Sequence, residues 1–193
     1  GFLNEGESET DAAPAVYARL ADCIRDEDAS RLVTYASHRP FKDRCLSNAD
    51  VVSINTYPGW YAHDNPHARP LEEIVPRIRD IIAWLDETGE GEKPFIISEI
   101  GAGAIYGWRD PLKAHWSEEY QADLLDVVCR EVMGDERIAG VSLWQYCDTR
   151  TYAYAAGALK RPRAFNNKGT FDEYRRPKPA RDIIAKWFGG ERG

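Results

Sequence analysis

The chain has 193 residues, of which 43% are hydrophobic and 30% are charged, a balance typical of a soluble globular protein with an apolar core. Its formal net charge of −7 argues against a nucleic acid or an anionic membrane as the partner, because both attract a basic surface. No apolar run approaches the roughly 20 residues that a membrane-spanning helix requires. The sequence starts without a methionine, as if cut from a longer polypeptide, and leaves both the cytoplasm and the periplasm open as the compartment.

Five short apolar segments are predicted to form β-strands. They are rich in β-branched residues and lack a regular polar alternation, which is typical of strands covered on both faces. In chain order they comprise residues 2–3, 31–37, 51–55, 94–98 and 139–144.

Four amphipathic segments are predicted to form helices, because their apolar residues recur at helical spacing. They comprise residues 14–26, 71–88, 118–133 and 179–188, and the apolar stripe of the first consists of Val16, Leu20, Cys23 and Ile24. Strands that alternate with helices in this way predict an α/β fold with a parallel sheet and right-handed crossovers. A nucleotide-binding doubly wound sheet is disfavoured, because no glycine-rich phosphate loop follows any strand.

The four cysteines are scattered singly, without the CxxC spacing or the Cys/His clusters of a zinc site. They are Cys23, Cys45, Cys129 and Cys147. Free thiols in buried or half-buried positions are the simplest interpretation. Neither a metal ion nor another cofactor is predicted.

Directly after four of the five strands come side chains that are able to do chemistry or to hold a polar ligand, and Trp144 closes the fifth strand. In a (β/α) barrel the C-terminal ends of the strands converge on one mouth, where catalytic groups collect. The residues in question are Asn4 and Glu5, then His38 and Arg39, then Asn55, Tyr57, Trp60 and Tyr61, then Glu99, and finally Tyr146 and Asp148 beyond Trp144.

Glu5 and Glu99 are 94 positions apart (99 − 5), and each follows a strand, so their carboxylates could face each other across such a mouth. Hydrolysis of a glycosidic bond needs such a pair: one group protonates the leaving oxygen, and the other attacks or stabilises the anomeric carbon. Aromatic rings in the loops could stack on a sugar ring. The candidates are Trp60, Tyr61, Trp108, Trp116 and Trp144.

Each of these residues also has an ordinary structural interpretation. A single glutamate after a strand is more often solvated or ion-paired, and a tryptophan at a strand end is more often part of the core. A non-catalytic carbohydrate-binding or structural α/β module would keep the aromatic loops but would have no use for Glu5 and Glu99 together. Spacing alone therefore leaves a carboxylate-based hydrolase and a binding module both open.

A series of segments resembles glycoside hydrolase family 2 and, within it, the β-glucuronidases. Asn4-Glu5 looks like the acid/base dipeptide of that family, and IISEIG at residues 96–101 looks like its nucleophile segment, although Ile100 stands where the family commonly has tyrosine. The resemblance runs in order from residue 1 to about residue 188. It is extended by INTYPGWY, HWSEEYQ, LWQYCDTR and NNKGTFDEYRRPKPA, at residues 54–61, 115–121, 143–150 and 166–180.

The resemblance implies a partial (β/α)8 TIM barrel. The stub at residues 2–3 and the four further strands would correspond to strands 4 to 8 of the barrel, with their helices. Residues 1–193 would then be the C-terminal part of a glycoside hydrolase catalytic domain. The N-terminal half of the barrel and the β-sandwich domains that precede it in the family would be absent.

The resemblance also implies a retaining mechanism that needs no metal. Glu5 would be the general acid and then the general base, and Glu99 would be the nucleophile that forms a covalent glycosyl-enzyme. Glu5 would therefore have to be protonated, and Glu99 ionised, when the substrate binds. Asn4 would bind the sugar 2-hydroxyl, Tyr57 would hydrogen-bond the nucleophile, and Trp144 would form part of the floor under the sugar.

Asn166 and Lys168 fall in an N-x-K pattern that resembles the β-glucuronidases, and together with Tyr61 they are assigned to substrate binding. An ammonium and an amide donor suit the C6 carboxylate of a uronic acid and offer a neutral galactoside nothing comparable. We therefore expect the parent enzyme to act on β-D-glucuronides. The structural alternative is a surface lysine in a turn, and the functional one is a β-galactosidase of the same family. Whether Arg161 or Arg163 approaches the sugar is left open.

An open piece of a barrel exposes unpaired strand edges and apolar surface. We therefore expect the 193-residue chain by itself to self-associate through these edges and to be inactive. Light scattering and a chromogenic β-glucuronide test the two expectations separately. A monomeric mass would count against self-association, and turnover by the purified chain would refute the inactivity.

Overall fold

The computed structural model describes residues 1–61, 70–152 and 161–189. Within these residues the chain forms two compact units. The first unit comprises Gly1–Thr56, Pro76–Ile100 and Asp135–Ser142, and the second is drawn from Tyr57–Val75, Gly101–Gly134 and Leu143–Gly193. Both predicted catalytic carboxylates therefore belong to the first unit, and the predicted carboxylate-binding lysine belongs to the second.

Four strands form one sheet, almost entirely within the first unit. In order across the sheet they are β1 (Ala36–Ser37), β2 (Val52–Asn55), β3 (Phe95–Ile100) and β4 (Ile138–Leu143). β1 pairs with β2 in parallel, and β2 pairs with β3 in parallel. β-Branched and aromatic residues such as those of β2 and β3 suit a pleated, buried surface. The predicted α/β fold with a parallel sheet is confirmed.

Residues 2–5 lie beside β1 and are joined to it by an isolated β-bridge and backbone hydrogen bonds. The amide of Ala36 donates to the carbonyl of Leu3 at 3.0 Å, and Asn4 pairs with Ala36 in parallel register. The amide of Glu5 then donates to the carbonyl of Ala36 at 2.9 Å. The predicted stub therefore lies along the edge of the sheet at β1 without forming a regular strand, and Glu5 follows the bridge at Asn4.

The segment predicted as a strand over residues 31–37 is regular only at β1. Upstream of β1 the backbone bonds are irregular, such as that from the amide of Asp50 to the carbonyl of Val33 at 2.8 Å, and side chains add to them. Oδ2 of Asp50 accepts from the amide of Val33 at 2.7 Å, and the hydroxyl of Thr34 donates to the carbonyl of Val51 at 2.6 Å. The predicted strand is too long, because an apolar, β-branched segment has the same pattern whether backbone or side-chain groups satisfy it.

The four predicted helices are all present. α1 (Ala13–Glu27), α3 (Glu118–Gly134) and α4 (Ala180–Phe188) agree with the prediction to within one residue at each end. α2 (Ile74–Glu87) begins three residues later than predicted, because Pro70–Glu73 form a 3-10 helix. In the part of the chain that the structure describes, no helix is long and apolar enough to cross a membrane.

α1 buries a different face from the one predicted. Val16 of the predicted apolar stripe is 53% exposed, and Cys23, which was expected to be at least half-buried, is exposed as well. The residues that face the core are Ala13, Tyr17 and Ala21. Alanine contributes little to an apolar stripe read from sequence, yet its small side chain lets a helix approach its neighbours closely.

Aliphatic side chains form the core of each unit. In the first unit the fully buried ones include Ile54, Ile78, Ile81, Leu85 and Ile97. In the second unit α3 packs against α4 and buries Leu124, Leu125 and Val128. Complete burial of one such side chain stabilises the folded state by about 1.5–3 kcal/mol.

The second unit also contains a short antiparallel pair that the sequence did not predict. β5 (Thr149–Arg150) pairs with β6 (Phe165–Asn166). Strands of two residues are too short to show a hydrophobic period, so pattern analysis cannot detect them. The pair matters for its position: Asn166, which is predicted to bind the substrate, lies in β6, and Lys168 comes two residues later.

Asp50 offers a test of the segment that leads into β1. Its carboxylate accepts from the amide of Val33 at 2.7 Å and from the guanidinium of Arg25 at 2.8 Å, and these hydrogen bonds, the backbone one first, lower its pKa. We expect Asp50→Ala to lower the free energy of unfolding by about 1–2 kcal/mol at neutral pH. Because the pKa is lower in the folded state, this stabilisation is complete above about pH 4 and is lost as the pH falls through the folded-state pKa.

Urea unfolding of the wild type and the variant, at neutral pH and at about pH 2.5, measures this difference. Glu92→Ala, at an exposed turn position, is the control. A difference of the same size at both pH values, or an equal loss in the control, would contradict the assignment.

Candidate active site

The side-chain amide of Asn55 holds together the polar residues at the carboxyl end of the first unit's sheet. Its Nδ2 group donates to Oδ1 of Asn4 at 3.1 Å and to Oε1 of Glu5 at 3.0 Å. Its Oδ1 accepts from the hydroxyl of Ser98 at 2.7 Å. Asn55 is only 3% exposed, so these partners satisfy an amide that burial would otherwise leave unpaired at a cost of about 1–3 kcal/mol. One residue thus links the stub strand, β2 and β3.

An irregularity in the pairing of β2 with β3 places Glu99 beside Asn55. Ile54 lies opposite Ile97, but the next residue of β2, Asn55, lies opposite Glu99. Ser98 is therefore an extra residue on β3, as in a β-bulge, a feature that often re-aims a side chain next to an active site. In a regular strand Glu99 would share the buried side of Ile97. With the bulge, Ser98 and Glu99 are both half-buried.

Glu5 has a left-handed backbone conformation, with φ 56°. A residue with a β-carbon pays roughly 1–2 kcal/mol for this conformation, which persists where its surroundings hold it in place. Here the amide of Glu5 is bonded to the carbonyl of Ala36 at 2.9 Å and its carboxylate to Asn55 at 3.0 Å. The side chain remains exposed, so a fixed carboxyl group is accessible to a ligand.

In the second unit the ammonium of Lys168 lies among aromatic rings. Its Nζ is 2.5 Å from the hydroxyl oxygen of Tyr61 and 4.5 Å from the ring centres of both Tyr57 and Tyr61. The ring centre of Trp60 is 5.9 Å away. Lys168 is only 6% exposed. Ring faces stabilise a cation, and a positive charge removed from water is a strong partner for an anionic group.

Asn166 shapes the turn that leads to Lys168. It belongs to β6, where it pairs with Thr149 of β5, and it is 9% exposed. Its side-chain Oδ1 accepts from the amide of Lys168 at 3.3 Å. The two residues of the N-x-K pattern are therefore connected to each other within one turn.

A buried ion pair fixes the same turn. Nζ of Lys178 is 2.8 Å from Oδ1 of Asp148, and both side chains are completely buried. Asp148 also accepts from the amide of Gly169 at 2.9 Å, and Lys178 donates to the carbonyl of Asn167 at 3.1 Å. Burial raises the pKa of Asp148 to about 6, although Lys178 opposes the shift, and burial lowers the pKa of Lys178. The pair holds the chain on both sides of Lys168.

The turn at residues 57–61, which carries the tyrosines around Lys168, is held by α3 and the segment before it. The hydroxyl of Tyr120 donates to the carbonyl of Gly59. The ring of His115 stacks on that of Trp60, with the ring centres 4.1 Å apart. Burial lowers the pKa of His115, so its ring is neutral at neutral pH. The segment at residues 115–121 is thus a support for this turn.

The two arginines, either of which could approach the sugar according to the sequence, have different partners in the structure. Arg163 binds the carboxylate of Glu173 with both guanidinium nitrogens, at 2.9 and 3.4 Å. Arg161 donates to the hydroxyl of Thr151 at 3.2 Å. Arg163 is therefore committed to an ion pair, whereas Arg161 has a neutral partner. Trp144, directly after β4, is 39% exposed, so part of its ring is accessible.

The predicted site residues form two groups. The first unit brings together Asn4, Glu5 and Glu99 around Asn55, and the second unit brings together Tyr57, Tyr61, Asn166 and Lys168. The hydrogen bond predicted between Tyr57 and Glu99 stays a prediction. Across residues 1–61, 70–152 and 161–189, no cluster of three or more His, Cys, Asp or Glu side chains is placed to hold a metal ion.

Sequence reasoning missed several residues that support these groups. The sequence points to Asn55 as a polar residue at a strand end but not as a link between strands, and it does not point to Ser98, Gln121 or Lys178. Ser98 had a signal, because it is a polar residue inside an apolar strand. Lys178 also had a signal of an unusual environment, because it stands between two prolines and therefore cannot lie inside a helix.

Comparison with known protein families gives a match over residues 4–189 to the glycosyl hydrolases family 2, TIM barrel domain. A β-glucuronidase of Paenibacillus borealis is 30% identical over 196 residues, which cover 100% of this chain and 30% of that protein. A β-glucuronidase of Streptococcus agalactiae is 27% identical over 190 residues, with 96% and 30% coverage. The chain spans about 30% of the length of the curated relatives it matches.

A solved structure of a GH2 β-galacturonidase from Eisenbergiella tayi, bound to galacturonate, matches with a TM-score of 0.86 at 39% identity, over 97% of this chain and 33% of that one. A β-glucuronidase of an uncultured Clostridium species matches with a TM-score of 0.82 at 30% identity, over 96% and 31%. The match over residues 4–189 shows that the chain belongs to glycosyl hydrolases family 2, and that its parallel sheet and helices are part of that family's TIM barrel domain.

Proposed function

We propose that the protein containing this chain hydrolyses terminal β-glycosidic bonds of uronides, above all β-D-glucuronides, with retention of configuration. The observation that carries this proposal is the nearly buried ammonium of Lys168, held by Tyr61 and faced by two tyrosine rings. Such a charge favours the C6 carboxylate of a uronic acid, which neutral sugars lack. Relatives named β-glucuronidase and β-galacturonidase support the same substrate class.

Glu5 is the proposed general acid and base. Its Oε1 accepts from Asn55, so Oε2 is the oxygen that would carry a proton to the leaving group. Once the leaving group has departed, the same carboxylate would remove a proton from the attacking water. The fixed backbone and the exposed carboxyl group of Glu5 suit both steps.

Glu99 is the proposed nucleophile. One of its carboxylate oxygens would attack the anomeric carbon as the bond to the leaving oxygen breaks, giving a covalent glycosyl-enzyme. Water, deprotonated by Glu5, would then displace Glu99 and release the sugar with its original configuration. Support comes from the position of Glu99 on a strand of the sheet, because a nucleophile must be held to within about 0.5 Å of its working position.

Asn4 is proposed to bind the 2-hydroxyl of the sugar. Its Oδ1 accepts from Asn55 at 3.1 Å, which leaves the Nδ2 protons of Asn4 as the donors for a ligand. A hydrogen bond to the 2-hydroxyl strengthens toward the transition state and so contributes to the rate and not only to binding.

A β-D-galacturonide is a second candidate substrate, because the solved neighbour at 39% identity is a β-galacturonidase bound to galacturonate. Glucuronate and galacturonate differ only in the configuration at C4, and Lys168 could bind the carboxylate of either. A neutral β-galactoside, the alternative from the sequence, carries no carboxylate for Lys168 to bind. A non-catalytic module would have no use for Glu5 and Glu99 together, and the relatives named above are hydrolases.

Carbohydrate is thus the proposed partner, and self-association of the isolated chain stays a prediction. The exposed apolar residues of α1 support it, because Val16 is 53% exposed and Leu20 is 36% exposed. Apolar surface of this kind favours contact with another chain.

Substitution of the two carboxylates in the full-length enzyme tests their separate roles. Glu99→Gln should lower kcat about 10⁴-fold or more for every substrate, because an amide cannot form the glycosyl ester. Glu5→Gln should lower kcat/KM, which reports the first step, about 10²–10⁴-fold for an alkyl β-glucuronide, whose leaving oxygen needs a proton, and much less for a dinitrophenyl β-glucuronide. Glu7→Gln, an exposed neighbour, is the matched control.

The configuration of the first product, followed by proton NMR, accompanies these rates. We expect the β-anomer to appear first. An initial α-anomer would contradict the retaining mechanism. A loss in Glu5→Gln that does not depend on the leaving group would contradict its role as the acid.

A panel of nitrophenyl glycosides tests the substrate class. We expect the full-length enzyme to favour the β-glucuronide or β-galacturonide over the β-glucoside and β-galactoside. Lys168→Met should lower kcat/KM for the uronide about 10- to 150-fold, because a hydrogen bond to a charged group contributes about 1.5–3 kcal/mol, and should leave the neutral sugars unaffected. Lys186→Met, whose side chain is 65% exposed, is the control. A preference for the β-galactoside would contradict the proposal, and no turnover at all would favour a binding module.

A further inference from the structure

We propose that Asp148 and Lys178 are positioning residues that set the specificity of Lys168 for the carboxylate of the substrate. The inference rests on the function proposed above and deepens it, because it concerns how the charge that recognises a uronide is held in place. Neither residue is assigned a contact with the substrate. Both act through the turn at residues 166–169.

Lys178 uses all three protons of its ammonium group inside the protein. Its Nζ donates to the carbonyl of Ala104 at 2.7 Å, to Oδ1 of Asp148 at 2.8 Å and to the carbonyl of Asn167 at 3.1 Å. The side chain is completely buried, so this arrangement lies out of contact with the bulk solvent. The ammonium fixes the residue directly before Lys168 from three directions.

Asp148 fixes the residue directly after Lys168. Its Oδ1, which binds Lys178, also accepts from the amide of Gly169 at 2.9 Å. A β-carbon on Gly169 would collide with the backbone of Cys147, Asp148 and Phe171, so the turn packs backbone against backbone at this point. Such close packing leaves the turn no room to shift.

Gln121 of α3 provides a third connection to the same turn. Its Nε2 donates to the carbonyl of Gly169 at 3.0 Å, with Lys168 at 3.4 Å, and also to the carbonyl of Ala102 at 2.8 Å. Together with the ion pair, this amide binds the carbonyl groups of three successive residues, 167, 168 and 169. The backbone of the turn is therefore held at each residue.

Stability alone is a poor explanation for this ion pair. Replacement of a buried ion pair by apolar residues of similar size is often neutral or stabilising, because desolvation offsets the attraction between the charges. Directional contacts to a turn, by contrast, require groups with several hydrogen bonds at fixed angles. Because the charges of Asp148 and Lys178 offset each other, the pair holds the turn without competing with Lys168 for an anionic ligand.

A small shift of the turn would displace the ammonium of Lys168 and so change its distance and angle to the carboxylate of the substrate. A charge-assisted hydrogen bond depends steeply on distance and angle, and a displacement of about 1 Å can cost about 100-fold in activity. Loss of the ion pair should therefore weaken binding of the carboxylated substrate and leave the chemistry of Glu5 and Glu99 in place.

The test uses Lys178→Met and Asp148→Asn in the full-length enzyme, with nitrophenyl β-D-glucuronide and nitrophenyl β-D-glucoside as substrates. We expect KM for the glucuronide to rise about tenfold or more, with a smaller change in kcat, while kcat/KM for the glucoside stays constant. Trapping with a 2-deoxy-2-fluoro glucuronide counts the active sites in each preparation. Lys186→Met, at an exposed site of the same residue type, is the control.

The outcomes separate the possible failures. A purely structural role would reduce the number of trapped sites and leave KM unchanged for both substrates, which would overturn this inference. If the wild-type enzyme favours the glucuronide and the variants keep the same preference, this inference is overturned and the proposed function stands. A wild type with no preference would overturn the proposed function and this inference together. If Lys178→Met does not fold, Asp148→Asn, which preserves size and an acceptor for Gly169, supplies the same comparison.

Discussion

The geometry of the first unit's polar residues depends on one buried amide, that of Asn55. At the end of β2 the regular pairing of the strands stops, and a buried polar side chain there must find partners among its neighbours. An amide is suited to this position because it carries both donors and an acceptor. A carboxylate would repel Glu5, and an aliphatic side chain would leave Asn4 and Ser98 without their partner. Residues from three strands therefore keep their relative positions through a single group.

The second unit buries two lysines, and it stabilises their charges in two different ways. Lys178 is neutralised by Asp148 and satisfied by backbone carbonyls, so its charge is used entirely within the protein. Lys168 lies among the rings of Tyr57 and Tyr61, which stabilise a cation without fixing the direction of its protons as a carbonyl does. The first arrangement fixes the ammonium by directional hydrogen bonds, and the second stabilises it by the faces of aromatic rings. The two lysines are ten positions apart in the sequence (178 − 168).

The helices and most of the sheet could be predicted from the sequence, because hydrophobic periodicity is a local property and the four helices are long enough to show it. The buried face of α1 could not, since it depends on how closely small residues such as Ala21 approach their neighbours. The candidate residues of the site could be predicted because they follow strands in series. Their supports could not, because the contact of Asn55 with Glu5 and that of Asp148 with Lys178 join residues distant in sequence. Such pairings depend on register and packing, which leave no periodic pattern.

The extra residue in β3 has a consequence for the comparison of related sequences. Ile97 and Ile100 are buried while Ser98 and Glu99 are both half-buried, so the two polar residues share one side of the strand. A relative that lacked a residue at the position of Ser98 would have a regular strand, with its glutamate still on that side. An alignment gap directly before the glutamate would therefore not imply loss of the carboxylate.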